Sequence, residues 1–183
     1  MIPSINEIAS DNVDREEASL CLTCGLCCNG VLFHLVRLQT GDLISELAGL
    51  GLKIRRKKGS DQFSQPCPAL DGCQCTIYSQ RPTRCRRFEC QQLQGVMKGE
   101  ISKQVAKERI QEVQRRVRRI EFLMEALGKT DSKRPLSKRY EKIMAECVDV
   151  IDAVSISRLE LEREMNELQV ILDRDFRLIN REE

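Results

Sequence analysis

The sequence predicts a mainly α-helical protein in two parts, a loop-rich cysteine module followed by an α-helical hairpin or bundle. Three observations predict it. Nine of the ten cysteines lie between Cys21 and Cys90, and only Cys147 lies beyond. Pro66, Pro68, Gly72 and Pro82 punctuate the second cysteine group, which therefore reads as irregular loop. From Glu100 onward only Gly128 and Pro135 interrupt long stretches in which apolar residues recur at helical spacing. The division falls at about residue 98, near Gly95 and Gly99, with the module over 1–98 and the helical extension over 99–183.

The first twenty residues carry Glu7, Asp11, Asp14, Arg15, Glu16 and Glu17, with no basic start leading into an apolar run, so no signal peptide is read. The longest apolar stretches, Val31–Leu38 and Leu43–Leu52, are broken by His34, Arg37 and Glu46 and fall well short of the roughly 20 apolar residues that span a bilayer. A soluble cytoplasmic protein is expected, without a membrane segment. In such a reducing compartment, clustered cysteines hold metal more often than they form disulfides. Of 183 residues, 30 are basic and 28 acidic, for a formal charge of +2. At 41% hydrophobic and 4% aromatic, without Trp, the core must be mostly aliphatic. That composition excludes a base-stacking nucleic-acid platform and weakens the case for a carbohydrate groove.

The first cysteine group is Cys21-Leu22-Thr23-Cys24-Gly25-Leu26-Cys27-Cys28, a C-x-x-C-x-x-C-C run. On a helix, with roughly 100° between residues, Cys21, Cys24 and Cys28 fall in one narrow arc and Cys27 stands apart. In a loop, Gly25 supplies the backbone freedom for close approach to a metal. Either way three or four thiolates can converge. Neighbouring side chains diverge, which suits Cys27 and Cys28 to different metals or places one of them outside the coordination shell.

In the second group, turn residues before Cys67 and Cys73 let the chain reverse, bringing Cys67, Cys73, Cys75, Cys85 and Cys90 within reach of one another. Arg81, Arg84, Arg86 and Arg87 surround Cys85 and would offset anionic thiolates. One structural zinc takes four ligands, so a single zinc leaves too many thiols, whereas two zinc sites use eight. An iron–sulfur cluster also takes four cysteines, and C-x-x-C-x-x-C with a distant Cys67-Pro68 is similar to the bacterial ferredoxin arrangement.

The chain resembles the zinc- or iron-chelating CxxCxxCC family, the YkgJ-type cysteine-cluster proteins. The resemblance rests on Cys21 to Cys28, then Cys67-Pro68-Ala69-Leu70, Gly72 to Tyr78, Arg81-Pro82 and Cys85 to Cys90, in that order. It implies a metal-chelating module with eight ligands, which here are Cys21, Cys24, Cys27, Cys28, Cys67, Cys75, Cys85 and Cys90. Cys73 is extra to that pattern.

His34, the only histidine, sits in Val31–Leu38, a run that suits a short strand or a helix continuing from the first cysteines. Histidine is a frequent zinc ligand, but eight cysteines already fill two four-ligand sites. A hydrogen-bonded His in a partly buried segment is the favoured reading. The basic run Lys53, Arg55, Arg56, Lys57, Lys58 has the charge to meet phosphate. It reads more simply as a solvated loop.

Over Ile101–Leu127, apolar Ile110, Val113, Val117, Ile120, Met124 and Leu127 alternate intervals of three and four, the seam of a packed helix pair. The opposite face is basic. A second helix is expected over Leu136–Val154. A third should start at the capping box Ser157-Arg158-Leu159-Glu160 and continue through Leu161, Met165, Leu168 and Leu172. Its Glu160, Glu162, Glu164 and Glu167 complement the basic helix, and packing of the two within one chain is preferred over an intermolecular coiled coil.

No nucleophile–base pair and no Gly-rich phosphate loop is present in the sequence. The expected function is chelation of an iron–sulfur cluster, placed slightly ahead of zinc, through cysteine thiolates with a structural or redox role. Two other readings stay open. One is an iron–sulfur-dependent enzyme of electron or group transfer. The other is a zinc-stabilised module whose C-terminal helices take a protein partner or self-associate.

Overall fold

The computed structural model describes residues 20–128, 131–146 and 153–178. Cys147 and the first 19 residues, with their acidic stretch, lie outside the described residues. The fold is mainly α, as the sequence predicts, with short strands set among the cysteines.

The helical part is built on α4 (Lys103–Ala126) and α6 (Ala153–Asp175), numbered here in chain order after α1 (Ile44–Gly49), α2 (Thr83–Arg87) and α3 (Gln91–Met97). Ser102 starts α4: its Oγ accepts the Val105 N–H at 3.2 Å, satisfying one of the free donors of the first turn. Gly128, at φ 73°, ends it in the left-handed conformation that glycine adopts without a Cβ penalty, its N–H donating to the Glu125 carbonyl at 2.8 Å. Between these caps the expected seam is buried from Ile110 to Met124, Leu127 at its end is partly buried, and Ala106 and Leu123 widen it. Leu161, Met165, Leu168 and Leu172 of α6 face it, also buried.

The two helices run antiparallel, because Arg116 pairs with Glu164 (3.1 Å) and Glu167 (2.6 Å) while Arg119, further along α4, pairs with the earlier Glu160. The basic and acidic faces thus meet within one chain. At the far end α6 closes on α3. Buried Gln92 donates its side-chain amide to the Asp175 carbonyl, and the Phe176 carbonyl accepts the Gln91 N–H at 3.1 Å.

Two boundaries differ from expectation. The second helix, α5 (Leu136–Ala145), stops at Ala145 rather than reaching Val154, and Glu146 leaves it in extended conformation. The sequence there enters the β-branched Val148, Val150 and Ile151, poor helix formers. The carbonyls left at the helix end are satisfied from α6, where Arg158 donates to Met144 (3.0 Å) and Glu146 (2.8 Å). Accordingly α6 starts at Ala153, and Ser157 lies inside it instead of capping it.

The cysteine part contains β1 (Leu35–Arg37), β2 (Arg55–Lys57) and β3 (Ser60–Ser64), an antiparallel sheet in the order β1-β3-β2, with Val36 opposite Phe63 and Arg56 opposite Asp61. The Val31–Leu38 run therefore supplies a strand. The basic run, expected as loop, is half of a hairpin: Lys57 pairs with Ser60, so Lys58 (φ 49°) and Gly59 (φ 77°) form a two-residue turn with both φ positive. Its basic side chains remain exposed, as expected. A second hairpin, β4 (Leu70–Asp71) and β5 (Gln74–Cys75), turns at Gly72 and Cys73. Regular structure thus replaces part of the expected loop.

The buried apolar residues form two clusters. The larger joins α4, α5 and α6 to Leu20, Leu26, Val31, Leu32 and Leu93, crossing residue 98. The smaller, Val36, Leu47, Leu52, Phe63, Ala69 and Ile77, lies against the three-stranded sheet. Among the described residues no helix is long and apolar enough to cross a membrane.

Candidate metal centre

Residues 20–24 form a helical turn that ends at Gly25, where φ is +67°. The chain then folds into a turn in which the N–H groups of Cys28 and Asn29 both donate to the Gly25 carbonyl at 2.9 Å. The first cysteine group is therefore part helix and part loop. The all-helical arc that would unite Cys21, Cys24 and Cys28 does not form. Cys21 and Cys24, Cys27 and Cys90 instead pack against the large apolar cluster.

Gly25 has a second use. A Cβ placed there would lie 3.3 Å from the Cys73 Cα and 3.6 Å from its Sγ, so the tip of the β4–β5 hairpin rests on the glycine backbone. Gln114 of α4 ties the same place together. Its side-chain amide donates to the carbonyls of Thr23 and Cys24, both at 3.1 Å, and lies 3.9 Å from the Cys73 sulfur.

Cys67 is fixed to the first group by its N–H, which donates to the Cys28 carbonyl at 2.7 Å. Cys75 lies on β5 and Cys85 on α2. The Asp42 carboxylate orients α2: Oδ1 accepts from the Thr83 N–H (2.8 Å) and hydroxyl (2.7 Å), while Oδ2 accepts from the Gln39 N–H (2.8 Å). Burial tends to raise the Asp42 pKa. The amides of Gln39 and Thr83, the Thr83 hydroxyl and the Arg86 charge outweigh it and leave the carboxyl below its ordinary range. Cys90 occupies the position before α3.

These segments enclose a cavity of about 150 Å³. Cys21, Cys24, Cys27, Cys28, Cys73, Cys75, Cys85 and Cys90 line it together with Phe33, Phe88 and Leu26, and no Asp, Glu or His is among the lining residues. Cys67, one of the eight expected ligands, is bonded to Cys28 but lies outside the lining, whereas the extra Cys73 is inside it. The nine described cysteines are free of disulfides. Among the described residues, no three His, Cys, Asp or Glu side chains are gathered tightly enough to form a metal shell. The thiols surround a space instead.

Burial dominates their chemistry. It pushes Cys24, Cys28 and Cys85 up to about 12, with neighbouring thiols adding to the rise. Cys27 is raised well above its ordinary value, and Cys67 and Cys90 are raised as well, for the same first reason. Opposing forces are built in. The backbone at Leu26, at Ala69 and at Gln92 and Leu93 hydrogen-bonds the sulfurs of Cys24, Cys67 and Cys90 and favours their charged form. The Arg81 guanidinium does the same for Cys28 and Cys85 by its charge. Arg81 itself stacks 3.7 Å from the centre of the Tyr78 ring and donates to its carbonyl at 3.0 Å. Of the four arginines near Cys85, Arg81 and Arg84 line the cavity.

This donor set fits a thiophilic cation or cluster. Soft sulfur ligands select zinc, copper(I) and iron–sulfur clusters. Gln65, 2% exposed and part of the lining, has a side-chain oxygen without a hydrogen-bond partner among the described residues, an acceptor that nearby positive charge would satisfy. His34 is exposed and borders a separate basic groove with Arg37, Lys57 and Lys58. Sequence reasoning missed Asp42, Gln65 and Gln114. Each is an ordinary polar residue whose role follows from contacts between distant segments.

The family model of the CxxCxxCC domain, described as zinc- or iron-chelating, matches residues 20–113, just over half of the chain. No curated protein and no solved structure matches the chain.

Proposed function

This chain belongs to the CxxCxxCC family, and from that premise we propose that Cys21, Cys24, Cys27, Cys28, Cys67, Cys75, Cys85 and Cys90 chelate iron as iron–sulfur, which both organises the N-terminal half and serves electron transfer. The observation that carries this reading is the convergence of cysteines from three stretches of backbone, 21–28, 73–75 and 85–90, on one space lined mainly with sulfur and apolar groups, with Cys67 tied to its edge through the Cys28 carbonyl. The C-x-x-C-x-x-C run supports iron–sulfur over zinc. Iron–sulfur would supply a one-electron carrier, and zinc would supply a fold-stabilising crosslink.

The chain's own residues do the rest. Each ligating thiol must release its proton, which burial opposes and metal binding drives. Amides directed at Cys24, Cys67 and Cys90 stabilise the resulting negative charge, and Arg81 offsets it at Cys28 and Cys85. Phe33 and Phe88, packed edge to face at 4.7 Å, supply an apolar wall to the cavity. The test is metal and sulfide analysis of the full chain purified without oxygen. Brown protein containing iron and acid-labile sulfide is the expected result. Colourless protein containing zinc would overturn the iron–sulfur assignment, and protein without bound metal would overturn chelation by these cysteines.

A further inference from the structure

The adjacent pair Cys27-Cys28 is the least economical part of the motif for a single centre. Successive side chains diverge, and here the divergence is resolved by the surroundings. Four cysteines, Cys21, Cys24, Cys27 and Cys90, pack against the large apolar cluster of the helical part. Three others, Cys67, Cys75 and Cys85, pack against the small cluster at the sheet. Cys28 belongs to neither by packing. Its carbonyl, however, accepts the Cys67 N–H at 2.7 Å, which fixes it to the second set.

Each set then counts four thiols, the number that one tetrahedral zinc or one iron–sulfur cluster requires. Cys73 is left over at its hairpin tip, next to Gln114.

We propose that the chain builds two separate four-thiolate centres, one from Cys21, Cys24, Cys27 and Cys90 and one from Cys28, Cys67, Cys75 and Cys85, joined by the single peptide bond between Cys27 and Cys28. This rests on chelation by the eight cysteines and adds how they are divided. The division is independent of which metal is bound.

The experiment uses the full chain carrying whatever metal it is purified with. A limiting chelator is applied in steps, and exposed thiols are alkylated at each step and mapped by mass spectrometry. The expected result is that two groups lose protection as units, with Cys27 following Cys21, Cys24 and Cys90 while Cys28 follows Cys67, Cys75 and Cys85. In parallel, Cys21→Ser and Cys85→Ser should each retain about half of the bound metal, since each removes one ligand from one tetrahedral set. Simultaneous loss of protection by Cys27 and Cys28 at every step would overturn the division, even where either variant fails to fold. So would complete metal loss in both variants from soluble, helical protein. If the purified chain holds no metal and all eight thiols alkylate at once, chelation itself fails and the division falls with it.

Discussion

The helical part and the cysteine part are stabilised by different means. Between α4 and α6, a buried residue recurs every three or four positions, so each turn adds apolar contact and the loss of one leaves the others in place. The cysteine part has only six residues in its own apolar cluster, strands of two to five residues, and helices of five to seven. Such short elements are marginal alone. The cysteine part also joins the large cluster through Leu20, Leu26, Val31, Leu32 and Leu93, and on the function proposed above the thiols supply the rest as an inorganic crosslink. Stability from burial is distributed, and stability from a crosslink is concentrated in a few atoms.

Removing the metal is the sharpest way to break that comparison, and it carries the largest expected effect. Structural thiolate sites contribute on the order of 10 kcal/mol to the folding of small metal domains. Chelation should therefore abolish amide exchange protection in β1, β3 and β5 while most α4 and α6 amides stay protected. Equal loss in both parts would show that the helices depend on the metal too. The converse change is Leu168→Ala, at a fully buried position of α6. It should destabilise the chain by about 2–5 kcal/mol in chemical denaturation with the metal-to-protein ratio unchanged. A parallel fall in metal content would contradict the separation.

Two smaller effects sharpen it within the cysteine part. Gly25→Ala strains a left-handed backbone and presses a methyl group against Cys73, costing on the order of 1 kcal/mol. Competition with a chelator should then show weaker metal retention, while Gly128→Ala, an equivalent backbone position at the end of α4, should leave retention as it is. Asp42→Asn should act most weakly, by about 1 kcal/mol or less. Because the folded-state carboxyl is held below its unfolded value, its contribution is present above about pH 4, near the unfolded pKa. It is lost as the pH falls through the lowered folded value. The gap in stability between parent and variant should therefore close in acid, and a gap of constant size down to pH 3 would sink the argument.

Much of this was legible in the sequence because it depends on local repetition. The three-and-four spacing along α4 identifies its buried face, and the tight spacing of Cys21, Cys24, Cys27 and Cys28 marks the site. What was not legible depends on which distant segments meet. The start of α6 at Ala153 rather than at Ser157, and the end of α5 at Ala145, involve Arg158 reaching across to another helix's last carbonyls. The Lys58-Gly59 turn is readable in principle, since a glycine follows a lysine between two runs that can pair, but a basic run with no aromatic or recognition-helix signature reads as a solvated loop. For the first cysteine group, the spacing suits a whole helix or a whole loop, and the glycine in its middle divides it into one of each. Gln65 and Gln114 carry no pattern of their own, so nothing along the chain distinguishes them from other glutamines.

Gln114 has a consequence of its own. It stands midway along α4, on a helix whose rotational setting is fixed by its interlocking with α6, and its amide meets the backbone carrying Cys24. Turning that helix by one residue would swing the amide through roughly 100° and release the thiol-bearing turn. The long helix thus works as an indexing pin: its rotational setting, rather than any one side chain in the seam, is what places the amide against the turn that carries Cys24.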